Sequence, residues 1–331
     1  MIVITGGSGF IGSNLVHALS QSSSGRLVII DDFGHSEKWQ NIKRIQFEDI
    51  IPPQHCMAFL DQHKDDIKSV IHLGAISTTT ETDVDLILAN NFTFSKQLLT
   101  WCTQHQKPLI YASSAATYGD GSYGFDDTED LSYLQQLKPL NAYAWSKHLF
   151  DQLIARYRQE NKPLPPQIVG LKFFNVYGPN EYHKSGQMSV MYQMYHQIVG
   201  NNTNCAAHLF KSYHPDYPDG GQLRDFVWVE DCINIIKFFM DHPAISGLFN
   251  VGSSIARSFN DAAHSVFAAV NKPANINYID MPEPLRAKYQ YYTQANIGKL
   301  RQVGYTQPLT TLEDGVAQYI QQYLTQLDCY R

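Results

Sequence analysis

Ile2-Val3-Ile4-Thr5-Gly6-Gly7-Ser8-Gly9-Phe10-Ile11-Gly12 places a strand-forming run, a glycine turn and the start of a helix in immediate succession, the helix continuing through Leu15, Val16 and Leu19. That order lifts a glycine motif above coincidence. Two overlapping spacings, Gly7-x-Gly9-x-x-Gly12 and Gly6-x-x-Gly9-x-x-Gly12, lack the side chains that would keep a phosphate from the backbone amides at the positive end of the helix. A dinucleotide pyrophosphate is the expected ligand.

Outward from this turn, apolar runs alternate with helical patterns. Leu27 to Ile30 ends in Asp31, 19 residues after Gly12, where a carboxylate meets adenosine ribose hydroxyls and favours NAD. Lys38 lies close enough to take a ribose 2′-phosphate instead, which favours NADP, so both cofactors stay open on the residues alone. Ser69 to Leu73 is a third strand running into Gly74-Ala75-Ile76-Ser77, and Asp83 to Gln104 reads as a long helix carrying Asn90 and Asn91. Asparagine disfavours helix interiors, so one of the two is expected to bond a loop or the cofactor neighbourhood. Leu109 to Ala112 and Ile168 to Phe174 complete a doubly wound parallel sheet, Rossmann-like, with ligands at the carboxyl ends of its strands. The expected division is a dinucleotide-binding domain over 1–174, joined by about 225–255, and a smaller mixed α/β substrate domain over most of 175–331.

At 331 residues the chain exceeds the roughly 250 to 300 at which single cores stop growing, which agrees with two lobes. Its formal net charge is -6 and it has no long basic run, so neither nucleic acid nor an anionic membrane surface is an expected partner. Five cysteines without a C-x-x-C pair read as reduced thiols, with no zinc site or disulfide frame. Met1 to Thr5 already reads as a buried strand and no apolar run approaches a membrane span, so a cytoplasmic, soluble protein is expected.

Tyr143-Ala144-Trp145-Ser146-Lys147 brings chemistry to this frame. Tyrosine and lysine at i, i+4 share a helix face, so the ammonium can sit under the phenol and favour its ionised form. Ser114, 29 residues upstream of the tyrosine at the end of a strand, can hold a substrate oxygen against that phenol. Arg224 presents a guanidinium fork suited to a substrate pyrophosphate, and Asp225 is read as structural, a candidate to orient it. The polar stretch 213–221 looks like an insertion.

With TGGSGFIGSNLV, STTTET, NNFTFSKQLL, YASSAATYG, KPLNAYAWSK, FFNVYGPNEYHK, LRDFVWVED and YQYYTQA in order, the chain resembles the extended short-chain dehydrogenase/reductases that act on nucleotide sugars. Within them it resembles the ADP-L-glycero-D-manno-heptose 6-epimerase family, which supplies heptose for the lipopolysaccharide core. The resemblance implies an isomerase that oxidises C6 transiently with bound NADP, and a homo-oligomer, with a pentamer as the candidate assembly. It puts Phe10 and Ile11 on the cofactor pyrophosphate, Asp31 and Asp32 near the adenosine ribose and Lys38 at the 2′-phosphate. Leu73 to Ser77, Asn90, Lys147 and Val176 follow along the cofactor. Tyr143 and Lys184 match the family's two proton acceptors, with Lys184 also beside the cofactor. Ser114, Asn175, Ser185, Gly186, Gln193, Phe210, Lys211, Ser212, Arg224 and Tyr289 match or adjoin substrate positions. The chain departs from the family in lacking a lysine near Pro53, in Asp32 standing for the more usual asparagine, in a serine displaced to Ser185, and in Gln193 replacing a histidine.

A nucleotide-sugar 4-epimerase needs the same tyrosine and lysine but no second base at Lys184. Ala115-Ala116 occupy the ground where a 4,6-dehydratase carries an acidic pair. A cofactor-binding regulatory protein would keep the glycine turn and typically lose Tyr143 and Lys147.

Overall fold

The computed structural model describes residues 1–22, 25–34, 36–200, 205–286 and 289–331. Its strands in chain order are β1 (Ile2–Thr5), β2 (Leu27–Ile30), β3 (Asp49–Ile51), β4 (Ser69–His72), β5 (Leu109–Ser114), β6 (Ile168–Phe173), β7 (Asn175–Tyr177), β8 (Ala207–Phe210), β9 (Leu223–Trp228), β10 (Gly247–Val251), β11 (Ala256–Ser258) and β12 (Ile276–Ile279). Seven of them form one sheet in the order β10-β6-β5-β4-β1-β2-β3, parallel at every pairing. The chain winds outward in both directions from β1, so a crevice opens at the carboxyl ends of β1 and β4.

Alternation along the strands sends side chains to opposite faces, and both faces are buried. Ile2, Ile4, Ile29 and Ile71 pack with the helices Phe10–Ser20 and Val229–Asp241. Val3, Val28, Ile30 and Val70 pack on the other side with the helices Phe94–Gln104 and Ala142–Gln159. This three-layer arrangement is the Rossmann-like fold expected from the sequence. A smaller core gathers Tyr177, Met191, Phe226, Trp228, Phe267 and Tyr319 around the β11-β9-β7 sheet and the paired β12 and β8.

The glycine turn needs its glycines for two distinct reasons. Gly6 adopts φ +69°, a left-handed backbone that side chains disfavour. At Gly12 the constraint is space: a Cβ there would stand 2.0 Å from the Gly6 carbonyl oxygen.

The helix expected from Asp83 to Gln104 is interrupted. Val84–Leu88 and Phe94–Gln104 are joined by a π-helical turn over Ala89–Thr93. The wide turn aims Asn91 inward, where its side-chain oxygen accepts from Ile76 N (2.9 Å) and its amide donates to Ile76 O (2.9 Å) and Ser146 Oγ (3.0 Å). The short strands β3, β7, β11 and β12 carry no continuous apolar run and were not anticipated. Among the described residues no helix is long and apolar enough to cross a membrane, and no disulfide joins any of the five cysteines.

Candidate active site

A cleft of about 1170 Å³ opens where the sheet order reverses. Gly6, Gly9, Phe10, Ile11 and Gly12 form one wall. Gly9 caps the Phe10–Ser20 helix without a side-chain hydrogen bond, so the first amides of that helix are left for an external acceptor. The cradle therefore fits an anionic group such as a pyrophosphate.

At the end of β2, Asp31 is fixed from three sides. Its Oδ2 accepts from Ser8 N (2.9 Å), and its Oδ1 accepts from Asp32 N (2.8 Å) and from Lys38 Nζ (2.6 Å). Lys38 also donates to Asp32 O (2.6 Å) and lines the cleft. The Asp31 carboxylate and the Lys38 ammonium are thus a single ion-paired unit rather than alternatives. Asp32 is turned to its own loop, accepting from Gly34 N.

Leu73, Ala75, Ile76, Ser77 and Val176 line the cleft, while Gly74 stands behind them, its N donating to Thr5 Oγ1 (3.1 Å). Asn90 is not brought to the cleft: its side chain is exposed and its amide donates to Leu86 O. Asn91 holds the Ile76 loop instead, and the signal for it was the pair of asparagines in a helix. Thr78, Thr79 and Thr80 also line the cleft. They stood in the family stretch STTTET without a role.

Ser114, Tyr143 and Lys147 meet on another wall. Asn141 caps the Ala142–Gln159 helix by accepting from Ala144 N (2.9 Å), which sets the first turn that carries Tyr143. Burial pushes the phenol up, with its hydrogen bond to Ser114 acting against that shift. Lys147 has a backbone partner near the end of β5. Its Nζ donates to Ala112 O (2.9 Å), and burial brings its pKa down to about 8, with Asp151 opposing. The phenol is therefore raised, not lowered, because burial of both groups outweighs their shared helix face.

Asp151 lies one further turn along that face and is itself enclosed. It accepts from Tyr111 Oη (3.0 Å), Ser113 Oγ (2.6 Å) and Lys172 Nζ (2.8 Å), the last a fully buried ion pair. Behind Tyr143 a polar chain runs through the core. Thr5 Oγ1 and His72 Nδ1 are 2.6 Å apart, His72 Nε2 and Ser95 Oγ 2.8 Å, and Ser146 Oγ donates to Tyr143 O (2.7 Å). Burial lowers His72 to about 3, so its ring is neutral near pH 7.

Lys184 reaches the cleft from a separate segment, the turn Tyr182–Gln187, with its Nζ 4.6 Å from the centre of the Phe10 ring. Burial lowers its pKa, countered by the buried Glu181, whose own pKa burial raises. Glu181 accepts from Ser189 Oγ (2.7 Å) and Tyr319 Oη (2.9 Å). His183, which sequence reasoning passed over, lines the cleft 3.1 Å from Asn41 Nδ2; burial, then Lys184 and Lys38, bring it down to about 4.

The remaining candidates divide. Asn175 and Gly186 line the cleft. The Ser185 side chain lies outside the described part of the structure. Gln193 is exposed, with its amide on Met188 O (2.7 Å). Phe210 ends β8 and Lys211 and Ser212 follow it, all three beyond the cleft, with Lys211 pairing with Asp280 (3.2 Å). Arg224 stacks between Phe259 (5.7 Å) and Tyr289 (5.1 Å), and Phe259 borders the cleft. Asp225 does not orient that arginine. Its carboxylate accepts from Ser253 N, Ser254 N (2.9 Å) and Ala295 N (2.8 Å), fastening β9 to two loops whose amides point at it. Among the described residues no cluster of histidine, cysteine and acidic groups could hold a metal ion.

This fold and cleft are those of the NAD dependent epimerase/dehydratase family, to which the chain belongs; the family profile matches residues 2–252. Within it the chain stands with the ADP-L-glycero-D-manno-heptose-6-epimerases. The enzyme of that name from Nitratidesulfovibrio vulgaris is 44% identical over 333 residues, covering 99% of both chains. The Helicobacter pylori ADP-L-glycero-D-manno-heptose-6-epimerase structure matches 96% of this chain and 94% of its own, with TM-score 0.77 and 28% identity. A Bacillus cereus UDP-glucuronic acid 4-epimerase, solved with UDP-glucuronic acid and NAD, matches 97% of this chain and 99% of its own at TM-score 0.74 and 25% identity.

Proposed function

We propose that the protein interconverts ADP-D-glycero-D-manno-heptose and ADP-L-glycero-D-manno-heptose by inverting C6. The observation that carries this reading is a phenol and a half-buried lysine entering one cleft from two separate segments, the Ala142–Gln159 helix and the Tyr182–Gln187 turn. C6 has no acidic neighbouring hydrogen, so simple deprotonation cannot invert it. A nicotinamide cofactor held against Phe10 and Ile11 supplies reversible hydride acceptance at C6.

Tyr143 takes the C6 hydroxyl proton as the carbon is oxidised, and Ser114 holds the oxygen against the phenol. The ketone turns over in the cleft, which presents its other face for reduction. Lys184 then donates the proton to the oxygen in its new position, and the opposite reaction reverses these roles. Lys147, one turn along from the phenol, holds the nicotinamide ribose, and the Ser114 hydrogen bond is what favours the phenolate against burial. Arg224 takes the substrate pyrophosphate, and Asn175 and Gly186 border the sugar.

NADP is the proposed resident cofactor, with the 2′-phosphate on Lys38. Asp31 is the ion pair that this phosphate must displace, and NAD would leave it intact. Residues 1–174, with about 225–255, are proposed as the cofactor-binding part and most of 175–331 as the substrate part. A cytoplasmic homo-oligomer feeding lipopolysaccharide core assembly is the proposed setting.

Incubation with ADP-D-glycero-D-manno-heptose labelled with deuterium at C6 tests the reading. The epimer ratio should move toward equilibrium with the label retained at C6. Loss of deuterium to solvent would overturn it.

A further inference from the structure

The loop between β8 and β9 takes no part in the reaction outlined above, yet it is held in a defined shape. Gly220 N donates to Phe210 O (3.1 Å) and Ser212 N to Asp219 Oδ1 (2.7 Å), closing the loop at its base. Its rings turn toward Tyr291. The His214 and Tyr217 centroids lie 5.0 and 5.3 Å from that of Tyr291, and Tyr213 N donates to Tyr291 Oη (3.0 Å). Tyr291 in turn lies 5.4 Å from Tyr289, the ring that covers Arg224.

Arg224 supplies an independent observation. It is buried, one of its amino groups donates to Leu223 O (2.9 Å), and among the described residues the groups over its guanidinium are the rings of Phe259 and Tyr289 rather than a carboxylate. A guanidinium buried without a counter-charge needs an anion to complete it. Of the two rings over the guanidinium, Phe259 borders the cleft and Tyr289 leads to the loop through Tyr291.

We propose that the 211–223 loop completes a base-stacking wall, in which the purine of the substrate's nucleotide lies against Tyr217 beside Tyr289 and Tyr291 while its phosphates meet Arg224. This rests on the reading of the protein as a nucleotide-sugar epimerase. A π face is what the purine needs, since base stacking on an aromatic ring is worth a large factor in affinity without any hydrogen-bond readout. His214 buttresses the wall by packing on both Tyr217 (5.3 Å) and Tyr291.

Calorimetric titration of ADP into the cofactor-loaded protein tests this. Tyr217→Ala should weaken ADP by about tenfold or more, Tyr217→Phe should bind like the wild type, and inorganic pyrophosphate should bind all three alike with cofactor content unchanged. Tyr217→Leu, which keeps apolar bulk but no π face, gives the same reading should the alanine variant not fold. Wild-type ADP affinity in Tyr217→Ala, or an equal loss for ADP and pyrophosphate, would overturn the wall. If UDP or GDP replaces ADP as the tight ligand and shows the same loss at Tyr217, the wall stands and the ADP-heptose reading fails.

Discussion

The two walls that carry the proposed proton-handling groups are built in opposite ways. On one, Tyr143, Lys147 and Asp151 follow at i, i+4 and i+8 along a single helix, and the strand ends beside them supply Ser113 and Ser114. On the other, Lys184 sits on a short turn with no long helix of its own, and distant residues fix it. Asn14 Nδ2 donates to Pro179 O (2.9 Å), Asn180 Nδ2 to Ser13 Oγ (3.0 Å), and Asn41 meets His183. Lys147 is buried and Lys184 half-buried; burial lowers both, and a buried carboxylate opposes it, Asp151 for one and Glu181 for the other. Similar electrostatics have thus been reached by a local and by a long-range route.

The largest expected effect comes from removing either proton carrier. Tyr143→Phe and Lys184→Met should each lower turnover by about 10² to 10⁴-fold, the range of general acid–base catalysis, with cofactor content unchanged. The comparison is sharpened by a single-turnover experiment from each epimer. If both groups serve, each variant impairs both directions; a Lys184→Met enzyme at near-normal rate would reduce the second wall to scaffold.

Breaking the local wall from behind should be seen first in stability. Asp151→Asn leaves the buried Lys172 without its counter-charge, a loss of about 3 to 5 kcal/mol in urea unfolding. The joint change Asp151→Leu with Lys172→Met should recover part of it, because no buried charge is then left alone. An unchanged unfolding midpoint for Asp151→Asn would show that the pair contributes nothing.

These walls also explain what could be read in advance. The sheet was legible because its strands are continuous apolar runs, as strands buried on both faces must be, and Gly12 and Asp31 follow from the same local logic. YxxxK was legible because i, i+4 is a property of one helix. That Lys147 would turn to Ala112 O was not, since the spacing says nothing of how deeply both side chains are buried. Asn41, Asn14, Glu181 and His183 were illegible for another reason: their meaning lies in partners far along the chain, and each reads alone as an ordinary polar residue. Asn90 and Asn91 show the boundary case, in which composition flagged the pair and only the π-helical turn decided which faces inward.

The polar chain behind Tyr143 should give the local wall an acid limb. His72 is about 3 when folded against 6.5 for a free ring, so between those values the unfolded chain binds more protons. Stability therefore rises with pH across that window and is lost as pH falls through it. Between pH 7 and pH 5 the loss from His72 should be about 2 kcal/mol, and His183, held near 4, adds to it in the same direction. His72→Gln should make the limb shallower in urea titrations at the two pH values. An identical pH dependence in the variant would mean that the ring is not held neutral.

The smallest expected effect probes the long-range wall alone. Arg331 joins its pieces: its backbone N donates to Asn180 Oδ1 (3.0 Å), its guanidinium to Asn14 Oδ1 (3.0 Å), and it pairs with Glu230 on the Val229–Asp241 helix. Asn14 and Asn180 are the residues that tie the segment before Lys184 to the helix under the cofactor cradle. Arg331→Ala should lower kcat by about three- to tenfold, the size of one or two lost hydrogen bonds, with KM and cofactor content little changed. A double-mutant cycle then assigns the loss. Combined with Lys184→Met the change should add almost nothing, because the positioned group is already gone, whereas combined with Tyr143→Phe it should retain most of its effect. The opposite pattern would place Arg331 in service of the phenol wall, and the division between a local and a long-range route would no longer hold.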